Sequence, residues 1–260
     1  MSGLPEEIQI RADGPVRIVT LNRPEQLNAT NAELHRGLSL VWRHLAEDRE
    51  ASVAILTGAG KAFSAGGDFH FMTRLAAEER FREQTIEEAR TILLDMLRFP
   101  LPVIAAVNGP AVGLGCSLVL SCDLVLLSDQ AHLADPHLTV GLVPGDGGVA
   151  LWPLFTSMLR VKEFLFTGDR IGPEQAVALG LANRVVPDAE LRAEALKLAG
   201  RLARLPQRAL RDTKRALNTH IERAVTGPLE IAIQAEMASM TSPEHAARVA
   251  KLLSRSKPGA

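Results

Sequence analysis

Residues 102–120 read PVIAAVNGPAVGLGCSLVL, and the apolar run Leu124 to Leu127 follows four residues later. Val103 to Val107 has the length and composition of a strand buried on both faces. Gly109, Gly113 and Gly115 then punctuate a turn that opens a helix, and Leu124 to Leu127 reads as the next strand. Strand, glycine turn, helix, strand is the pattern of stacked βαβ-like units with near-parallel strands. Upstream the pattern repeats: Val53 to Thr57 is a short apolar strand with glycines directly after it. Residues 8–21 alternate around Asp13-Gly14 as two strands and a turn. Between these strands lie two amphipathic helices. The first carries Leu34, Leu38, Val41, Trp42 and Leu45, with Thr30 and Glu33 at capping-box spacing. The second carries Ile86, Leu93, Leu94 and Leu97 and is stopped by Pro100 and Pro102. Beyond about residue 155 the texture changes, and residues 189–204, 206–221 and 228–253 read as three helices, with Pro206 and Pro243 at first-turn positions.

Composition narrows the function classes. The chain has 260 residues, 47% of them hydrophobic, enough for a substantial core. A formal net charge of −1 provides no global positive field for nucleic acid or an acidic membrane. No apolar run reaches the roughly 18 residues of a membrane span, and the N-terminus lacks the regions of a signal peptide. A cytoplasmic location is expected. The two cysteines, Cys116 and Cys122, sit in an apolar run and read as buried small hydrophobes.

The chemistry concentrates in two glycine turns, AFSAGGD at 62–68 and GPAVGLGCS at 109–117. Each follows a buried strand, so each places bare backbone amides at the edge of a sheet. Converging turns of this kind would make an oxyanion hole, whose donors are each worth roughly 3–4 kcal/mol in a transition state. The same glycines can equally serve tight turns and close packing. A nucleotide site is disfavoured: Gly58-Ala59-Gly60-Lys61 lacks the phosphate-loop spacing and its hydroxyl residue. Asp68 and His70 alone make a poor metal site, and no metal is expected.

These two turns, with the PVIAAVNG between them, resemble the signature segments of the enoyl-CoA hydratase/isomerase (crotonase) superfamily. The resemblance continues in order through LADPHLTVGLVPGDGG (133–148), FLFTGDRI (164–171), EQAVALGLANRVVP (174–187) and KLLSRSKP (251–258). It implies an α/β fold, a crotonase-like spiral of ββα units over 1–195, with a C-terminal helical trimerisation region over 196–260. It implies an acyl-CoA thioester substrate, with coenzyme A as part of the substrate and no tightly bound cofactor. A homotrimer or dimer of trimers is implied, with no nucleic-acid or membrane partner. The oxyanion amides fall on Gly67 and Leu114. Ala65 and Asp68 fall near the adenine and pantetheine of coenzyme A, and Lys257 at a basic position near the nucleotide phosphates; a solvated terminal lysine is the alternative for Lys257.

The chain departs from the pattern at the two usual catalytic glutamates. Three residues after the second oxyanion amide stands Ser117, and after the proline of the Ala-Asp-Pro segment stands His137. What the sequence offers instead is His137 with Asp146 nine residues on. A turn at Val143-Pro144-Gly145 would return Asp146 to the imidazole, and a carboxylate there can fix its tautomer and stabilise its cation. Ser117 could hold a water or satisfy a backbone carbonyl. The His–Asp pair is similar to the oxo-camphor β-diketone hydrolase branch, whereas GLGCS is the turn of coenzyme A users. Three functions are therefore expected in order: an acyl-CoA enzyme using His137 and Asp146, a β-diketone (retro-Claisen) hydrolase, and a catalytically silent acyl-CoA-binding subunit.

Overall fold

The computed structural model describes residues 3–255. Strands β1 (Ile8–Asp13) and β2 (Val16–Leu21) form an antiparallel hairpin around Gly14, whose φ of 54° suits the turn. From β2 onward each neighbour in the main sheet is parallel: β3 (Val53–Gly58), β4 (Val103–Val107), β6 (Leu124–Ser128) and β8 (Arg184–Val186). Two short strands, β5 (Ala111–Val112) and β7 (Leu133–Ala134), pair as a second parallel sheet. Parallel pairing requires crossovers, and helices supply them. Helix α1 (Ala32–Ala46) links β2 to β3; α2 (Phe69–Ala77) and α3 (Glu79–Arg98) link β3 to β4; α4 (Leu114–Leu120) lies between β5 and β6. Helices α5 (Gly148–Leu151), α6 (Met158–Thr167) and α7 (Pro173–Ala178) precede β8. Helices α8 (Leu191–Ala203), α9 (Gln207–Ser239) and α10 (Pro243–Arg255) close the chain. The result is the expected α/β spiral with a C-terminal helical region.

The unbroken apolar runs of the strands follow from burial on both faces. Val103, Ala105 and Val107 of β4 point into the larger core with Leu38, Trp42, Leu93 and Met96. Ile104 and Ala106 point the other way, against Leu191, Ala195 and Ala199 of α8. The expected boundary at 195/196 falls inside α8.

Two local expectations are corrected. The cap of α1 is Asn31, whose side chain accepts from the Leu34 amide, while Thr30 lies buried one residue earlier and pairs its backbone with Gly66 and Asp68. The break expected between residues 221 and 228 does not occur: α9 runs through Gly227-Pro228. Proline removes one helical hydrogen bond and crowds the preceding turn. A continuous buried stripe outweighs that cost, with Lys214, Asn218, Val225, Leu229, Ala232, Ile233 and Glu236 all facing inward. Polar anchors lie along it, Lys214 Nζ to Asp123 at 2.6 Å and Asn218 Nδ2 to the Leu97 carbonyl at 2.7 Å. The stripe carries Glu236 to the site described next.

Candidate active site

The two glycine turns are laced together by backbone hydrogen bonds. Phe63 and Ser64 amides donate to the Pro110 carbonyl, and the Val112 amide donates to Ser64. On the other side, Thr30 donates to the Gly66 carbonyl and Asp68 donates to Thr30. This lacing uses the Gly66 carbonyl and the Asp68 amide, on either side of Gly67, and leaves the Gly67 amide without a partner among the described residues. Leu114 begins α4, so its amide has no helical acceptor. Gly113 makes the entry possible: its φ is 56°, and a Cβ there would stand 3.3 Å from the His137 ring. Gly67 and Leu114 line one cavity of about 60 Å³ together with His35, His137, Asp146 and Glu236.

His137 follows the end of β7 and is gripped from both sides. Its Nδ1 lies 2.5 Å from Asp135 Oδ1, and its Nε2 lies 3.4 Å from Asp146 Oδ2. The loop through Val143-Pro144-Gly145 does bring Asp146 back to the imidazole, but on Nε2; Asp135 takes Nδ1. The Ser117 hydroxyl donates to Asp146 Oδ1 at 3.1 Å and not to a backbone carbonyl. The Gly147-Gly148 pair allows this crowding. A Cβ at Gly148 would meet Asp135 Oδ2 at 2.3 Å, and one at Gly147 would meet Ser117 Oγ at 2.9 Å. Gly148→Ala is therefore expected to lower thermal stability by about 1–3 kcal/mol through overpacking. It should also reduce any His137-dependent turnover; calorimetry and rate measurement on one sample check both.

The carboxyl groups of this cluster are driven apart. Burial pushes the Asp146 carboxyl up, but the His137 charge and hydrogen bonds from His137 and Ser117 outweigh it and hold it below its ordinary value. Glu236, 5% exposed, is pushed up to about 8 by burial, with the negative charges of Asp146 and Asp135 adding to the effect against the opposing pull of His137. Its Oε2 is buried without a hydrogen-bond partner among the described residues. Burial pulls the His137 imidazole down, yet its two aspartates more than offset this and set it well above its ordinary value. At neutral pH the site thus holds an ionised Asp146, a cationic His137 and a protonated Glu236. Ligand-capable atoms of these three residues lie within 4.8 Å of one another. A tetrahedral zinc site needs edges of about 3.3 Å, so these side chains would have to close in on an ion.

Sequence reasoning missed Asp135, Glu236 and a second imidazole–carboxylate contact, His35 Nδ1 to Glu88 Oε2 at 2.9 Å. A carboxylate on the apolar stripe of a helix, one turn after Ala232 and Ile233, was the available signal for Glu236. Of the residues expected near coenzyme A, Ala65 is partly exposed and donates its amide to the Leu27 carbonyl. Asp68 caps α2 through the His70 amide and pairs with Arg23 at 3.4 Å. Lys257 lies outside the described residues.

A family model described as enoyl-CoA hydratase/isomerase matches residues 11–252. The chain belongs to the enoyl-CoA hydratase/isomerase family. Within that family it is 34% identical to the short-chain-enoyl-CoA hydratase of Clostridium acetobutylicum, over 80% of this chain and 80% of the relative. The crystal structure of an enoyl-CoA hydratase/isomerase from Mycobacterium paratuberculosis superposes with a TM-score of 0.93 at 50% identity, covering 95% of this chain and 99% of that one. A β-diketone hydrolase from the cyanobacterium Anabaena sp. PCC 7120, bound to (S)-3-oxocyclohexyl acetic acid, superposes with a TM-score of 0.84 at 31% identity, covering 91% and 94%. Among the described residues, no helix is long and apolar enough to cross a membrane.

Proposed function

We propose that this family member adds water across the Cα=Cβ bond of an α,β-unsaturated acyl-CoA thioester and protonates the resulting enolate, using Asp146 and Glu236 where the family's two glutamates are missing. The observation that carries the reading is the split carboxyl pair: an ionised Asp146 and a protonated Glu236 on the same small cavity as two unpaired amides. Two titratable groups whose environments separate them are the usual division of acid and base. The Gly67 and Leu114 amides receive the thioester oxygen as charge develops on it, in an oxyanion hole. Water held against the Asp146 carboxylate bonds through oxygen to the β-carbon as the Cα=Cβ π bond opens toward the thioester, and leaves its proton on Asp146. Glu236 gives its proton to the α-carbon, and solvent exchange resets both groups. Asp135 on Nδ1 and Asp146 on Nε2 hold the imidazole as a cation beside the carboxylate that takes the proton. Coenzyme A would lie along Ala65 and Asp68. By the same family reading the subunits assemble as a trimer or dimer of trimers through the C-terminal helices.

A second reading is favoured by the likeness to the Anabaena β-diketone hydrolase. An imidazole–carboxylate pair beside an oxyanion hole can equally direct water onto a ketone carbon, and cleavage then leaves an enolate for Glu236 to protonate. One assay separates the readings: turnover of crotonyl-CoA, followed by loss of the enone absorbance, against turnover of a free cyclic 1,3-diketone. Hydration of the thioester supports the first reading. Turnover of the diketone alone overturns it in favour of the second. Thioester binding with no His137-dependent turnover of either compound would leave a silent acyl-CoA-binding subunit.

A further inference from the structure

The wall of the cavity built by α1, α2 and α3 is apolar at Phe71, Leu75, Ile86 and Ala89, yet it contains His35. His35 is 4% exposed, and its ring packs 5.7 Å from that of Phe71. Its Nδ1 is held by Glu88 Oε2 at 2.9 Å, while Glu88 Oε1 accepts from Gln84 Nε2 at 2.8 Å. Burial pushes the Glu88 carboxyl up, but those two hydrogen bonds prevail and keep it ionised. The Nε2 of His35 has no partner among the described residues. His35 and Asp146 line the same cavity, which places the ring beside the reacting groups.

A dyad in this position is poorly explained as a strut between α1 and α3. A buried polar group left unpaired against hydrocarbon loses about tenfold to a hundredfold in affinity for whatever covers it. A hydrocarbon acyl chain would cover Nε2 and leave it unpaired. An oxygen on the acyl group would satisfy it, and a site built to hydrogen-bond an oxygen discriminates strongly against analogues lacking one.

We infer that His35, held by Glu88, is a specificity residue that hydrogen-bonds a keto or hydroxyl oxygen on the acyl part of the substrate. The preferred substrate is then an oxygenated acyl group rather than a plain hydrocarbon chain. This rests on the proposed carbonyl chemistry of the site but does not depend on which of its two substrate classes is correct.

The test is calorimetric binding of acyl-CoA thioesters with an oxo group at C3, C4 or C5, each against its hydrocarbon parent, and of 1,3-cyclohexanedione against cyclohexanone. The parent protein should prefer at least one oxygenated ligand by about tenfold or more. His35→Phe should abolish that preference while leaving affinity for the matching hydrocarbon ligand intact. Glu88→Gln should weaken the preference, and His35→Gln should restore part of it; these two variants carry the test if the phenylalanine variant does not fold. An unchanged ratio in the folded variants, or no preference in the parent protein for any pair, overturns the inference. A His35-dependent preference confined to the free diketone, with no thioester bound, keeps the inference and overturns the acyl-CoA reading instead.

Discussion

Glu236→Gln lowers turnover by about 10²–10⁴-fold, the usual size of a general-acid contribution. Substrate affinity should change little, because glutamine keeps the volume and neutrality of the protonated acid and loses only the transferable proton. In kinetic terms kcat falls and KM holds. The parent rate should decline as pH rises through about 8, where Glu236 loses its proton. Stability changes in the same window. An unfolded glutamate ionises near about 4.3, whereas folded Glu236 keeps its proton to about 8. Between those values the native state binds more protons than the unfolded one, so this residue's contribution to stability falls as pH rises. The glutamine variant has no such loss. Its melting temperature relative to the parent should therefore climb between pH 5 and pH 8 and level off above.

Asp135→Asn is expected to be nearly as damaging, although Asp135 lies behind the imidazole. It is 0% exposed, and its Oδ1 holds His137 Nδ1 at 2.5 Å. An asparagine there withdraws one of the two charges that sustain the cation, and if it presents its amide N–H to Nδ1 it can bond only the neutral ring. A loss of about 10²–10⁴-fold in kcat follows, comparable with that of His137→Ala. The two variants should not be additive, because both disable one unit. The distinguishing readout is the imidazole resonance in NMR. In Asp135→Asn the His137 pKa should fall toward its ordinary value, and an unchanged titration would show that Asp135 only packs.

The fold was legible because parallel strands buried on both faces leave unbroken apolar runs, and the glycines after β3 and β4 marked where backbone approaches backbone. What escaped the sequence was set by distance and by tertiary packing. The helical pattern of α9 is interrupted on paper by Gly227-Pro228, and only its packing along α3 and α5 carries it through. That continuity delivers Glu236 beside Asp146, which sits 90 residues earlier in the chain. The proximity of His137 and Asp146 could be read from the turn between them, but not which nitrogen Asp146 meets. Asp135 had already claimed the other from the end of a two-residue strand. Ser117 could not be read at all, because its partner depends on how closely Gly147 lets the Asp146 loop approach α4.

The proposed division of acid and base requires Glu236 to be protonated at neutral pH while Asp146 beside it is ionised. The most direct measurement is infrared difference spectroscopy of the parent protein against Glu236→Gln, across pH 5 to 9.5. A protonated-carboxyl band that is present at pH 7 and disappears with a midpoint near 8 is the predicted result. A Glu236 carboxylate band already present at pH 6, with no protonated signal to lose, would contradict it.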